Sequence, residues 1–272
     1  MTVMNGLILR VVNHGDASAV VTLLGGAEGK RAAYAQGARQ SRRRFAGGLD
    51  LFTLYRFQLE GRRPDAMPRL CAATVIQRLD GIPQDLFKMA VASCAIESAR
   101  DTTPEHAPLE DVFTDLWTLL CTLDSAPGDA PELAILALRW FEIRLLSHLG
   151  HETMLSHCFR CGQAPDEEVV RFYPDQGGTC CLACYDAGPL ALRLPLRLVL
   201  GLEKLRQRSL RHIIDGALQR GAQQEALAVF NRDAGRVLAH LLEANLGLAL
   251  RTKAHLFLEQ LCGARPKGGA TP

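Results

Sequence analysis

Aromatic side chains are scarce in this sequence, at 6% of residues with two tryptophans, so aliphatic side chains must fill most of its core. Long hydrophobic runs are missing too. No stretch of eighteen apolar residues occurs, which excludes a membrane-spanning helix. Met1–Arg10 is a short alternating segment without a cleavage-like site, so secretion is not expected and a cytoplasmic location is the default. Net charge is nearly absent, with 31 Lys and Arg against 29 Asp and Glu. Hydrophobic residues at 48% and charged residues at 22% describe a globular chain rather than a disordered one. Its 272 residues allow one large domain or two to three small ones.

Catalytic constellations are the other absence. Gly25-Gly26-Ala27-Glu28-Gly29-Lys30 is one residue short of a phosphate-binding loop. Arg31 follows it where Ser or Thr is required, so the segment reads as a hairpin turn. His148, His151 and Glu152 do not form an H-E-x-x-H motif, and Ser147 and Ser156 lack the glycines of a nucleophile elbow. Glu110, Asp111 and Asp115 read as a solvated helix start. The chain is not expected to be an enzyme.

What is present, first, is charge that is unevenly spread. Residues 1–80 hold 12 Lys and Arg against 6 Asp and Glu, and residues 191–272 hold 13 against 6. Residues 81–150 hold 4 against 11, and residues 151–190 hold 2 against 6. A basic front end with an acidic middle suits a polyanion-binding protein; chance clustering on solvated surfaces is the plain alternative.

The element pattern changes near residue 80. Leu7–Val12, Ala19–Leu24, Lys30–Gln36, Leu49–Glu60 and Leu70–Leu79 read as five short strands, which suggests a small barrel. Helical spacing then predicts helices over 85–99, 109–123 and 131–149, the first preceded by Pro83. A cysteine-rich insert interrupts this pattern. Helices are expected again over 194–207, near 212–219, and over 224–246 and 253–262. The fold class is therefore α+β and multidomain. Residues 1–80 form a barrel domain, and 81–150 and 188–262 form two parts of an all-α domain. The insert occupies 151–187, and 263–272 is a disordered tail.

Nine cysteines occur. Cys71, Cys94, Cys121 and Cys262 sit singly in apolar patterns and read as small buried hydrophobes. The other five lie in Cys158-Phe159-Arg160-Cys161 and Cys180-Cys181-Leu182-Ala183-Cys184. Taking Cys181, this is C-x2-C, nineteen residues, C-x2-C. Two such turns supply a tetrahedron of thiolates, the arrangement a structural zinc ion prefers. Arg171-Phe172-Tyr173-Pro174 and Gly177-Gly178 read as a hairpin joining the pairs. The ligands expected for one Zn2+ are Cys158, Cys161, Cys181 and Cys184. Cys180 is an alternative to Cys181 that would give C-x3-C. His151 and His157 are surplus to a saturated site, and a closed site leaves no place for an activated water.

The densest positive run is Gly37-Ala38-Arg39-Gln40-Ser41-Arg42-Arg43-Arg44-Phe45, between two strands. Lys30 and Arg31 precede it, and Arg62 and Arg63 lie on a later connection. Guanidinium groups on a loop can neutralise phosphates and release counterions. Tyr34, Phe45 and Tyr55 are candidate stacking partners for bases, although for Tyr55 and Phe57 a core position is the better reading.

Taken together, the chain resembles a known family. Gly6-Leu7-Ile8-Leu9-Arg10, Gly15-Asp16, Val20-Val21-Thr22-Leu23-Leu24, Gly29-Lys30 and Gly37-Ala38-Arg39 with the basic run to Phe45 are similar to the N-terminal domain of the bacterial RecO family. Phe141-Glu142-Ile143-Arg144-Leu145-Leu146 leading to Gly150 fits as well. So do the Cys158/Cys161 pair, Phe172-Tyr173-Pro174, Gly177-Gly178 and the Cys181/Cys184 pair. The resemblance runs over about residues 4–262. It implies an N-terminal OB fold, a helical C-terminal domain and a zinc-binding insert. It implies a non-enzymatic, nucleoid-associated DNA repair protein that binds single- and double-stranded DNA and anneals complementary strands. With RecR, and in some pathways RecF, such a protein helps RecA load onto DNA coated by single-strand-binding protein, whose C-terminal tail it contacts. The DNA-facing residues implied are Lys30, Arg31, Arg39, Arg42, Arg43 and Arg44. Gln36 departs from the family, which often has lysine there. A zinc-ribbon interaction module without a DNA role is the rival reading.

Overall fold

The computed structural model describes residues 1–41, 43–61, 66–128, 130–185, 191–219, 224–246 and 252–264. Arg42, Arg62, Arg63 and most of the expected tail, 265–272, lie outside them. Contacts divide the chain into two units, Met1–Ala126 and Pro127–Pro272.

The first unit holds a closed barrel of β1 (Thr2–His14), β2 (Ser18–Leu24), β3 (Lys30–Ala35), β4 (Thr53–Glu60) and β5 (Arg69–Arg78), in the order β1-β2-β3-β5-β4. β1 closes it by pairing with β4 through its first half and with β2 through its second. The remaining seam is a single parallel pair, Tyr34 with Arg69. Alternate inward residues build the core, among them Met4, Ile8, Val21, Leu23, Tyr55 and Phe57. Tyr55 and Phe57 stack at 5.4 Å between ring centroids. The expected strand over 49–60 is shorter than its alternation suggested. Phe52 adopts φ 58°, a left-handed conformation that no strand residue takes, so β4 begins at Thr53.

α1 (Leu86–Thr102) and α2 (Glu110–Ser125) belong to the same unit. Asp85 caps α1, accepting hydrogen bonds from the Phe87 and Lys88 amides at 2.8 and 3.1 Å. The connection between the two helices is strapped to the β2–β3 turn. The His106 amide donates to the Lys30 carbonyl at 2.9 Å, and the Leu109 amide donates to the Gly26 carbonyl at 2.8 Å. This explains Gly29: its φ is +66°, and a Cβ there would collide with the Ala107 carbonyl.

The second unit is built on α3 (Pro131–His148), which packs against α4 (Leu196–Gln207), α5 (Leu210–Gln219) and α6 (Gln224–Leu246). α7 (Lys253–Ala264) is tied to α3 by a buried cluster. Glu142 accepts from Arg139 at 2.5 Å and lies 3.2 Å from His255 Nε2. Burial pushes the Glu142 carboxyl up, but the facing Arg139 and His255 outweigh it and hold the group below its ordinary range. Between α3 and α4 runs a sheet of β6 (Met154–Cys158), β7 (Val169–Tyr173), β8 (Gly178–Cys180) and β9 (Leu192–Pro195), in the order β6-β8-β7-β9.

β9 corrects the expectation of a helix from Leu194. Val169–Phe172 already presents an edge, and pairing with it satisfies backbone groups that a helix start would leave open. Cys262 is a second correction. It is exposed rather than buried, and Cys71 and Cys121 are only half-buried. Gly263 and Ala264 form the last turn of α7. No helix among the described residues is long and apolar enough to cross a membrane.

Candidate functional site

The sheet of the second unit positions the cysteines. β6 ends at Cys158, the chain turns through Cys161, and the β7–β8 hairpin brings Cys181 and Cys184 alongside. Gly162, φ +74°, completes the first turn and donates its amide to the Cys158 carbonyl at 2.8 Å. The sulfurs of Cys158, Cys161, Cys181 and Cys184 all lie within 4.8 Å of one another. A tetrahedron with metal–sulfur bonds of about 2.3 Å has sulfur–sulfur edges of about 3.8 Å. The Cys161 and Cys181 sulfurs are 3.8 Å apart. The donor set therefore fits a closed thiolate site for a soft or borderline ion.

Cys180 is not part of this group. It is buried, with its sulfur 3.5 Å from the Cys181 carbonyl oxygen, and burial and the neighbouring Cys158 push its thiol up to about 11. His157 Nδ1 instead lies 2.9 Å from the Ser156 hydroxyl. Cys158 behaves differently from Cys180. Burial raises its thiol, but backbone amides at Cys181, Cys161 and Arg160 bring it down to about 6. Cys184 is pushed up to about 12 by hydrogen bonding with the Cys181 and Cys161 thiols.

The basic loop lies on the first unit, between β3 and β4, and is pinned at both ends. The Arg39 amide donates to the Ala17 carbonyl at 3.0 Å, and the Gly37 amide donates to Ser18 Oγ at 3.1 Å. At the far end the Tyr55 hydroxyl donates to the Gly48 carbonyl at 3.3 Å, and Arg78 donates to the Gly47 carbonyl. Arg39 and Arg43 are exposed. Arg44 is half-buried and holds the loop itself. Its Nη2 donates to the Gln36 carbonyl at 2.9 Å, its Nε donates to Ser41 Oγ at 3.2 Å, and its guanidinium lies over the Phe45 ring at 5.5 Å. Arg42 lies outside the described residues.

Lys30 and Arg31 stand apart from the loop. Lys30 is 8% exposed and donates to the Arg100 carbonyl at 2.5 Å. Burial lowers its ammonium from the ordinary range. The family resemblance implies a phosphate contact for Lys30; in the structure its ammonium is buried and engaged inside the unit. Lys30→Ala is expected to cost about 1.5–3 kcal/mol in urea denaturation, the worth of a hydrogen bond from a charged group. Arg31 Nη2 donates to the Glu28 carbonyl at 2.9 Å. Of the three candidate stacking aromatics, Phe45 at 3% and Tyr55 at 0% exposure belong to the barrel core. Tyr34 alone of the three reaches the surface, edge-on to His14 at 5.7 Å.

The family model described as "Recombination protein O N terminal" matches residues 1–79, and "Recombination protein O C terminal" matches residues 83–254. The DNA repair protein RecO of Anaeromyxobacter dehalogenans (strain 2CP-C) is 34% identical over 258 residues, covering 95% of this chain and 96% of that one. The chain belongs to the RecO family. The RecO proteins of Symbiobacterium thermophilum and Myxococcus xanthus are each 33% identical. They align over 96% and 75% of this chain and 98% and 80% of their own. A role in DNA repair and recombination follows from that membership.

The helical unit of this RecO chain also has a groove of about 280 Å3 that the sequence did not disclose. Leu136, Leu205, Ala217 and Phe230 form its apolar walls, and Arg197 and Lys204 flank it. Arg197 is one of the 13 basic residues of the stretch 191–272, which also holds Arg193, Arg208, Arg211 and Arg236. Lys204 was missed. The signal for it was the spacing of Arg197, Gly201, Lys204 and Leu205 on one face of α4. Gly201 matters because a Cβ there would collide with the Phe230 ring.

Proposed function

We propose that this RecO chain is a DNA-binding recombination mediator. It binds single- and double-stranded DNA, anneals complementary strands, and with RecR helps load RecA onto DNA coated by single-strand-binding protein, in some settings with RecF. The observation that carries this reading is the exposure of Arg39 and Arg43 on a loop pinned at both ends. Annealing needs no bond chemistry, so the protein works without an active site. Two phosphate backbones repel each other. A cationic loop screens that repulsion and releases counterions, so two strands can approach closely enough to nucleate pairing. Contacts to the backbone leave the base edges free to pair.

The groove flanked by Arg197 and Lys204 is the proposed seat for the C-terminal tail of single-strand-binding protein, an acidic segment with apolar end residues. Its walls would take the apolar end and its two cations the acidic part. Cys158, Cys161, Cys181 and Cys184 would hold one zinc ion, which when bound supplies a structural cross-link and no chemistry. The site of action is the bacterial cytoplasm, at the nucleoid.

The test is strand annealing on naked DNA and on DNA coated by single-strand-binding protein. The wild-type chain should accelerate both. Arg197→Glu should remove the acceleration on coated strands and leave it on naked ones. No acceleration of naked strands by the wild type would end the mediator reading in favour of an interaction module.

A further inference from the structure

Two walls of the groove in the helical unit, α4 and α5, meet at a very short joint. α4 ends at Gln207 and α5 begins at Leu210, which leaves Arg208 and Ser209 between them. The last carbonyls of a helix have no partner within it, so other groups must satisfy them. Two side chains of α3 do so here. The Trp140 indole Nε1 donates to the Arg208 carbonyl at 2.9 Å, and Arg144 Nη1 donates to the Arg206 carbonyl at 3.0 Å. The Arg144 guanidinium also lies over the Trp140 ring, 5.1 Å from its centroid, so the two donors pack as one unit. Its charge suits the negative end of the α4 dipole. On the other side of the joint Ser209 starts α5. Its carbonyl and hydroxyl accept from the Ile213 and His212 amides at 3.1 and 3.4 Å.

Leu136, Trp140 and Arg144 are spaced four residues apart, on one stripe of α3. Leu136 lines the groove, whereas Trp140 and Arg144 do not. Trp140 is 2% exposed, so it cannot touch a ligand from where it stands. α4 and α5 rest chiefly on α3 rather than on each other, so α3 sets the angle between them. We infer that Trp140 and Arg144 are positioning residues for this groove. They hold the joint so that Arg197, Lys204 and Leu205 of α4 and Ile213 and Ala217 of α5 enclose one space. The inference rests on the tail-binding reading above and adds the residues that preset the seat. A groove held in its binding shape loses less entropy when it is filled.

The experiment follows a labelled acidic peptide with two apolar residues at its C-terminus, mixed with the full chain by stopped flow. A Trp140→Phe/Arg144→Ala protein keeps an aromatic ring in the core and loses both donors to the joint. Its association rate should fall about tenfold, and its dissociation rate should stay within about twofold. The binding-competent fraction shrinks while the contacts of the bound peptide remain. A purely structural pair would behave otherwise, because a less stable chain that is still folded binds with unchanged rates. Arg197→Glu separates the two readings. If it binds the peptide as the wild type does, the tail-binding reading fails, and this inference fails with it. If it loses the peptide while the double variant, folded by circular dichroism, associates at the wild-type rate, the positioning inference alone is overturned. The wild type gives a second measurement that needs no variant. Its two tryptophans provide two indole N–H groups. Saturating peptide should slow hydrogen exchange at Trp140 at least about tenfold and leave Trp117, in α2, unchanged. Equal exchange at Trp140 with and without peptide would likewise overturn the inference.

Discussion

Cys181→Ser is expected to take the protein from about one bound zinc per chain to none, whereas Cys180→Ser should keep the metal. Both residues precede Leu182 in the sequence, but only Cys181 has its sulfur among the four that lie within 4.8 Å of one another. The structural consequence should be local and large. β8 is three residues long, and Cys158, Tyr173 and Cys180 form a small buried cluster beside the tetrad, while Leu155, Val170 and Phe172 are buried elsewhere in the sheet. The end of the sheet that carries the tetrad depends on its cross-link, and structural zinc contributes an apparent 10–16 kcal/mol at neutral pH. Loss of the metal should therefore release the two cysteine turns and β8. Metal analysis by mass spectrometry, with limited proteolysis within 159–185, checks both parts. A Cys180→Ser protein without metal would reassign the ligand.

The same site should weaken in acid. With Cys158 at about 6, one thiolate is available near neutral pH. With Cys184 at about 12, its proton must be displaced when the ion binds. Protons and metal compete for the same sulfurs, so affinity falls as pH falls and each binding event releases protons. Chelator competition at pH 6 and pH 8 should find the tighter site at pH 8.

Arg39→Ala with Arg43→Ala should lower DNA affinity about 10- to 100-fold at low salt, the loss of two charge-assisted contacts. The diagnostic quantity is the slope of log affinity against log salt. Two lost phosphate contacts should reduce it by about 1.4 units for single strands and about 1.8 for a duplex. Arg44→Ala should behave differently. Its guanidinium is engaged with Gln36 and Ser41, so its removal loosens the loop that carries Arg39 and Arg43. Affinity should fall with a smaller change in slope. Titrations at several salt concentrations separate the two behaviours. An unchanged slope in the double variant would exclude the loop as a phosphate-binding surface.

The barrel and the cysteine tetrad were legible in the sequence because each depends on local spacing. Alternating Val, Leu and Ile between glycine turns specifies short strands, and two C-x2-C turns place two sulfurs each at one point. Helices α2 and α6 were legible for the same reason, with one-sided apolar faces over 16 and 23 residues, whereas α1 and α3, over 17 and 18 residues, are apolar and buried on most sides. Positive charge on the 37–45 loop was legible too, but not its division of labour. Lys30 and Arg39 look alike as letters. Whether a cation faces water or a buried carbonyl depends on which backbone passes beside it, and for Lys30 that is the end of α1, seventy residues away. The same holds for Phe45, which resembles a stacking residue in sequence and lies in the barrel core in three dimensions. β9 required a partner strand, and the groove of the helical unit required walls from distant segments. Local pattern thus determined which elements form. Packing between distant segments, where burial and hydrogen-bond satisfaction are decided, determined which of their side chains remain free to act.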